Sequence, residues 1–261
     1  MENKKKLSVL IIAGNEEKNI RDCLESVKWA DEIIVVDSES KDKTVEIAKE
    51  YTEKVFINMW EGFAAQRKYS LSKASNEWIL SLDADERISP ELKIEITNTI
   101  NNPAGFSGYY IPRRNYFLDK IIKSCFWYPD YQLRLFKKES ANVTDKKVHE
   151  GFFVSGETGK LNSDIIHFTH QSIHETFAKV NNYTSLNAEE RVDGKKVKAH
   201  HLILNPLAAF LNHFISRKGY KDGIYGLMVS LIHSMTNMLT YMKIWELQHK
   251  KEISQNNSDK H

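Results

Sequence analysis

The chain has 261 residues, 41% hydrophobic and 28% charged, a balance that excludes a disordered or fibrous protein and leaves room for a sizeable core. Its formal net charge of +2 is too small for a surface built as a whole to hold nucleic acid, so no nucleic-acid partner is expected. The two cysteines, Cys23 and Cys125, are too few and isolated for a disulfide framework or a zinc site, and read as reduced thiols.

Met1 to Lys6 is basic, but the apolar run after it is short and no small-residue cleavage pattern follows, which predicts a cytoplasmic protein without a signal peptide. Leu7–Ala13 reads as a buried strand ending in a Gly14-Asn15 turn, and Ile20, Leu24 and Val27 then recur at helical spacing. Glu32–Asp37, the polar loop Ser38–Lys43 and Thr44–Tyr51 repeat the strand, loop and helix pattern. A third strand is predicted over Lys54–Asn58, a helix over Gly62–Ala74, a fourth strand over Glu77–Leu82 and a helix over Pro90–Asn101. Successive βα units predict a parallel sheet. Three later segments, around Gly108–Arg114, Gln132–Lys137 and Asp164–Phe168, read as antiparallel additions that make the sheet mixed.

Open parallel sheets bind ligands at the carboxyl ends of their strands, where Asp37 and the Asp83-Ala84-Asp85 pair both fall. Two carboxylates one residue apart can aim at one hard cation, Mg2+ or Mn2+, which in turn binds the phosphates of a substrate. A surface turn explains an isolated Asp-x-Asp equally well, and Asp37 can equally cap a turn. Val148-His149-Glu150 and Asp164-Ile165-Ile166-His167 offer further groups for a site, although a lone histidine is more often structural.

From Ser172 the chain reads as helical to about Arg191, and a basic linker, Arg191–Lys198, leads to a second helical region starting near Pro206. Gly223–Met242 holds no Asp, Glu, Lys or Arg, and between Arg191 and Lys221 seven Lys/Arg face the single acid Asp193. A basic collar beside an apolar helix suits the interface of an anionic membrane. A helix packed on the protein's own core or on a partner subunit is the competing reading. The domain expectation is a catalytic domain over 1–190, a basic and apolar helical region over 191–252 and a disordered tail over 253–261.

In order, Leu7–Ile20 with Cys23-Leu24-Glu25-Ser26, Ile33–Asp37 with Ser38–Thr44, and Ser81-Leu82-Asp83-Ala84-Asp85-Glu86-Arg87 resemble the inverting glycosyltransferases of family 2, which have a GT-A fold. Pro112–Asn115, Trp127–Phe136, Val148–Gly151 and Arg217–Gly223 through Leu247 resemble a narrower group, the lipopolysaccharide core β-glucosyltransferases. The resemblance implies an α/β fold of GT-A type: a Rossmann-like mixed, mostly parallel sheet flanked by helices, with a C-terminal helical, membrane-associating appendage. It also implies transfer of a sugar, glucose from UDP-glucose, to a lipopolysaccharide core or other lipid-linked or cell-surface glycan on the inner face of the cytoplasmic membrane, with Mn2+ or Mg2+. Ala13, Asn15, Glu16 and Asp37 would hold the nucleotide, with Arg67 beside it; Asp83 would reach ribose or metal, and Asp85 and His167 would ligate the metal, with His170 a weaker candidate. Glu150 would be the catalytic base and Asp130 its alternative. Arg113 and Arg134 would serve the diphosphate or an anionic acceptor, or act as salt-bridged strand residues. Two other readings stay open: a nucleotidyltransferase acting on sugar phosphates, for which the Ala13–Glu17 loop is neither Gly-rich nor basic, and an inactive membrane-associated scaffold. An oligomer is possible.

Overall fold

The computed structural model describes residues 5–144 and 151–258. These divide into two compact units, one drawn from Met1–Asn115 and Pro129–Phe168, the other from Tyr116–Tyr128 and Thr169–His261.

The first unit opens with β1 (Leu7–Ala13), α1 (Ile20–Val27), β2 (Glu32–Asp37), α2 (Thr44–Lys49), β3 (Val55–Ile57), α3 (Phe63–Lys73) and β4 (Trp78–Asp83). β5 (Glu86–Ile88), α4 (Pro90–Asn101) and β6 (Gly108–Phe117) follow, then β8 (Asp130–Lys137), β9 (Ala141–Val143), β10 (Phe152–Val154), β11 (Thr158–Lys160) and β12 (Ile165–His170); β7 (Lys120–Ile121), between β6 and β8 in the chain, falls in the second unit. The main sheet runs β3-β2-β1-β4-β8-β6-β12-β5. Its first four strands are parallel and β8 joins β4 antiparallel. This is the expected mixed sheet. Apolar residues fill β1, β2 and β4 without alternation because both faces are covered: Val9, Ile11, Val35 and Leu80 point into one core layer, Leu10, Ile34, Val36 and Ile79 into the other. α1 buries Ile20, Cys23, Leu24 and Val27, the stripe its spacing predicts. α4 keeps its predicted bounds because its start signals are local: Ser89 Oγ accepts from Leu92 N at 3.2 Å and Pro90 occupies the first turn. The short β5, β7 and β9–β11 were not expected; they are too brief to leave a hydrophobic period. Cys23 and Cys125 are both buried and free.

The second unit contains α5 (Ile173–Arg191), α6 (Ala199–Leu211) and α7 (Ile224–Ser258). Lys243 ties α7 to α5 through Asn181 O at 2.6 Å and Thr184 Oγ1 at 2.9 Å. Between α6 and α7 come a π-type turn, Asn212–Ser216, and a 3-10 turn, Gly219–Asp222. Gly226 lies so close to the Gly219 carbonyl that a Cβ there would collide with backbone. Pro206 does not start a helix as expected but lies buried inside α6, which forgoes one ladder hydrogen bond. α7 is described through Ser258 and so covers the first residues of the expected tail. Among the described residues no helix is long and apolar enough to cross a membrane.

Candidate active site

Ala13, Asp37 and Asp83 end adjacent parallel strands, with Ala13 opposite Asp37 and Ile12 opposite Asp83 in the sheet register. The loops after β1 and β2 are laced together above them. Asn15, in the left-handed region at φ 57, donates its N–H to Ser40 Oγ at 2.7 Å and accepts from Lys41 N at 2.8 Å. Glu16 N donates to Thr44 Oγ1 at 2.8 Å. Asp37 is fully buried and accepts from Ser40 N and Ser40 Oγ at 2.7 and 2.6 Å. A Cβ on Gly14 would run into Ser38 Oγ, which accounts for glycine at this crossing.

Below this rim lies a cluster of acids and arginines built by strand register. Arg113 on β6 stands opposite Asp130 on β8 and Ile111 opposite Gln132, while Arg134 falls where the β6–β8 register shifts between Tyr109 and Tyr110. Arg134 Nη2 reaches Asp83 Oδ2 at 2.5 Å and Glu86 Oε1 at 2.6 Å. Arg67 on α3 lies 3.5 Å from Asp83, and Arg113 bridges Glu86 at 3.2 Å and Asp130 at 2.6 Å. Glu86 is fully buried, and its other oxygen accepts from Asp83 N at 3.0 Å. Burial alone would raise the Asp83 carboxyl, but the charges of Arg134 and Arg67 and the hydrogen bond from Arg134 hold it well below the usual carboxylate range. Burial likewise opposes ionisation of Asp130, and Arg113, Gln132 and Asn115 together lower it. Arg134 is held charged: Asp83 and Glu86 outweigh its burial.

Three arginines thus answer three carboxylates, and Asp85 adds a fourth. β5 pairs with β12 so that His167 is opposite Glu86, and Phe168 N donates to Asp85 O at 3.0 Å. This brings His167 Nε2 to 3.4 Å from Asp85 Oδ1. Asn115 fixes the ring: its amide nitrogen donates to Asp130 at 3.3 Å, so its oxygen faces His167 Nδ1 at 2.7 Å and accepts from it. Neutral His167 then turns the lone pair of Nε2 toward a carboxylate oxygen, also a lone-pair donor. Such an arrangement is satisfied by a proton on Nε2 or by a cation between the two. The donor set, one imidazole and one carboxylate with surplus negative charge, fits a divalent ion that takes its remaining ligands from phosphate and water. Among the described residues no group of three His, Cys, Asp or Glu is placed to cage a metal unaided.

Residues 8–153 match the family model described as Glycosyl transferase family 2, more than half of the chain. The chain belongs to glycosyltransferase family 2. An uncharacterised glycosyltransferase of Rickettsia prowazekii is 32% identical over 95% of this chain and 89% of its own length. The lipopolysaccharide core biosynthesis glycosyltransferase LpsC of Rhizobium meliloti is 27% identical over 92% of each. Among solved structures, S. aureus TarS 1-349 in complex with UDP-GlcNAc superposes with a TM-score of 0.50 at 16% identity, covering 94% of this chain and 92% of that one. That likeness shows the fold, a GT-A-type mixed sheet.

Of the family-2 residues named from sequence, Asp83, Asp85, Asp130, Arg67, Arg113, Arg134 and His167 come together in the first unit, and Ala13, Asn15, Glu16 and Asp37 form the rim on its strand ends. Asp37 and Asn15 are occupied in holding the two loops to each other. His170 lies in the second unit, hydrogen-bonded to Thr176 at 3.1 Å and stacked on Trp127. Glu150 and His149 lie outside the described residues. Glu86 and Asn115 were missed. Only their positions, Glu86 directly after Asp83-Ala84-Asp85 and Asn115 two residues beyond Arg113 on one strand face, could have drawn attention to them.

Proposed function

We propose that this enzyme is an inverting, metal-dependent hexosyltransferase that moves glucose from UDP-glucose to a lipopolysaccharide core or other lipid-linked glycan, and that its C-terminal region binds the inner face of the cytoplasmic membrane. The observation that carries the reading is the Asp85–His167 pair beside the arginine-held Asp83. The Rhizobium relative's role in lipopolysaccharide core biosynthesis supports the acceptor class, and the UDP-GlcNAc bound by TarS supports a uridine diphosphate donor.

In this reading the loops around Asn15 and Asp37 receive the nucleoside, and Asp85 and His167 hold Mn2+ or Mg2+. When bound, the ion neutralises the diphosphate leaving group. Arg67, Arg113 and Arg134 add fixed positive charge beside it, preorganised because each is already ion-paired. A carboxylate on the face opposite the nucleotide takes the proton of the acceptor hydroxyl as that oxygen attacks the anomeric carbon, and configuration inverts. Asp130 is poorly suited to this: both its oxygens already accept, from Arg113, Asn115 and Gln132, and these partners lower its carboxyl against its burial. Glu150 is therefore the proposed base.

Calorimetric titration with UDP tests the donor site. Binding is expected to require Mn2+ or Mg2+; equal binding in the presence of excess chelator would defeat the metal role. Asn115→Leu, which frees the His167 ring, is expected to weaken metal-dependent UDP binding by about 10- to 100-fold. The same titration checks it, with metal-independent binding as the internal control.

A further inference from the structure

The C-terminal unit carries an apolar surface beyond the one composition suggests. α7, the uncharged run in sequence, packs its Val229, Ser230 and Ile244 inward and leaves Leu231, Met235, Met242 and Trp245 exposed. α6 adds an exposed row that is aliphatic throughout. From Ala199 to Ser216 the chain has no Asp, Glu, Lys or Arg, so this helix has no charged face to offer water. Its inner side, with buried Pro206 and half-buried Leu202, is turned into the unit, and Ser234 Oγ on α7 donates to Pro206 O at 2.8 Å. Its outer side, continued by the turn after it, is a row of Ile203, Leu204, Leu207, Leu211 and Ile215, 43 to 67% exposed. Surface helices ordinarily place charged residues along such a row.

The ends of the row are as informative as its middle. Lys195, Lys196 and Lys198 precede it, and Lys218 and Lys221 follow, all exposed. Arg217 stacks on Phe126, 3.9 Å from the ring centroid, and Phe126 is 72% exposed. Tyr220, also exposed, stands edge-on to Phe214. An aliphatic stripe with aromatic rings and cations at its borders matches the layering of a bilayer interface, acyl chains below and anionic headgroups around. At 13 residues, α6 is about 20 Å long by its rise per residue, short of the hydrocarbon thickness of about 30 Å. It fits lying in the interface and does not fit spanning it. A second copy of this chain is a poorer occupant, because a two-fold contact over the stripe would bring lysine-rich ends toward like-charged ends.

We infer that the outer face of α6 and of the turn after it, from Ile203 to Ile215, is the surface by which this protein docks on anionic lipid, with the flanking lysines on the headgroups. This refines the peripheral association proposed above and rests on it, but not on the identity of donor or acceptor. The test is cosedimentation of the full chain with vesicles of phosphatidylglycerol and phosphatidylethanolamine, and with phosphatidylcholine vesicles, alongside the double variant Ile203→Glu/Leu207→Glu. Wild-type protein is expected to bind the anionic vesicles, to bind phosphatidylcholine weakly, and to be partly released at about 0.5 M NaCl, where charges are screened within a few ångströms. The variant is expected to lose about tenfold or more of this binding while keeping its circular dichroism and its UDP titration. Those two controls separate loss of docking from misfolding and from failure of the donor-site reading. Vesicle binding unchanged in the double variant, or no binding by wild-type protein to either vesicle, would overturn the inference. So would a wild-type dimer that the variant dissociates without any vesicle binding, since the stripe would then be a subunit interface.

Discussion

Asp85→Ala is expected to abolish glycosyl transfer, by about a thousand-fold or more, and to leave the unfolding temperature close to wild type. The two halves of this expectation have separate causes. Asp85 follows β4 in a two-residue turn, and its carboxylate faces His167 Nε2. Asp83 stays held by Arg134 and Arg67, and the backbone bond from Phe168 N to Asp85 O survives the substitution. What is lost is the carboxylate proposed to hold the ion against the leaving diphosphate, an interaction that strengthens as the bond to the sugar breaks and so bears on turnover. Steady-state transfer assays and thermal unfolding on one preparation check both halves. A folded variant with near wild-type turnover would remove Asp85 from the metal role. Loss of folding together with activity would instead make Asp85 structural.

The contrast between Asp85 and its neighbours also shows what a sequence can and cannot reveal here. β1, β2, β4 and α4 were legible because their signals are local: an unbroken apolar run, a helical stripe, a Ser-Pro start. Asp83 and Asp85 were legible because a strand end followed by Asp-x-Asp is itself a pattern. His167 reads from the sequence as one more group for a site, but its role as a metal ligand comes only through family resemblance, since its approach to Asp85 depends on the pairing of β5 with β12, strands far apart in the chain. Glu86 and Asn115 were not legible, because beyond their spacing from Asp85 and Arg113 nothing in their local setting distinguishes a buried network member from a solvated strand residue. Pro206 misled for the opposite reason. Proline usually marks a helix start or stop, but here a helix already formed from Ala199 absorbs it, with Ser234 bonded to its carbonyl.

Glu86→Gln is expected to destabilise the protein by about 3–5 kcal/mol, the scale of breaking a buried ion pair from one side, although it is nearly isosteric. The reason lies in the count of donors. Glu86 Oε1 accepts from Arg134 at 2.6 Å and Arg113 at 3.2 Å, and Oε2 accepts from Asp83 N at 3.0 Å. A glutamine supplies one acceptor and one NH2. With its oxygen on the arginines, the NH2 meets the Asp83 N–H; flipped, it meets two guanidinium groups. Neither orientation satisfies the site, and both leave buried positive charge undercompensated on Arg134, which is only 5% exposed. Arg134→Met alone removes the guanidinium from both Glu86 and Asp83, leaving those acids to Arg113 and Arg67. The pair Glu86→Leu/Arg134→Met exchanges the central ion pair for apolar contact and is expected to recover part of the loss, because well-packed apolar groups replace buried ion pairs at little cost. Urea unfolding of Glu86→Leu, Arg134→Met, the pair and wild type closes a cycle around the pair, with Glu86→Gln measured beside it. A Glu86→Gln midpoint within experimental error of wild type would show that Glu86 is not the anchor of the arginines. They would then be held by Asp83 and Asp130, and the rigidity ascribed to the diphosphate-binding side of the site would have to come from the strand register of β6 and β8 instead.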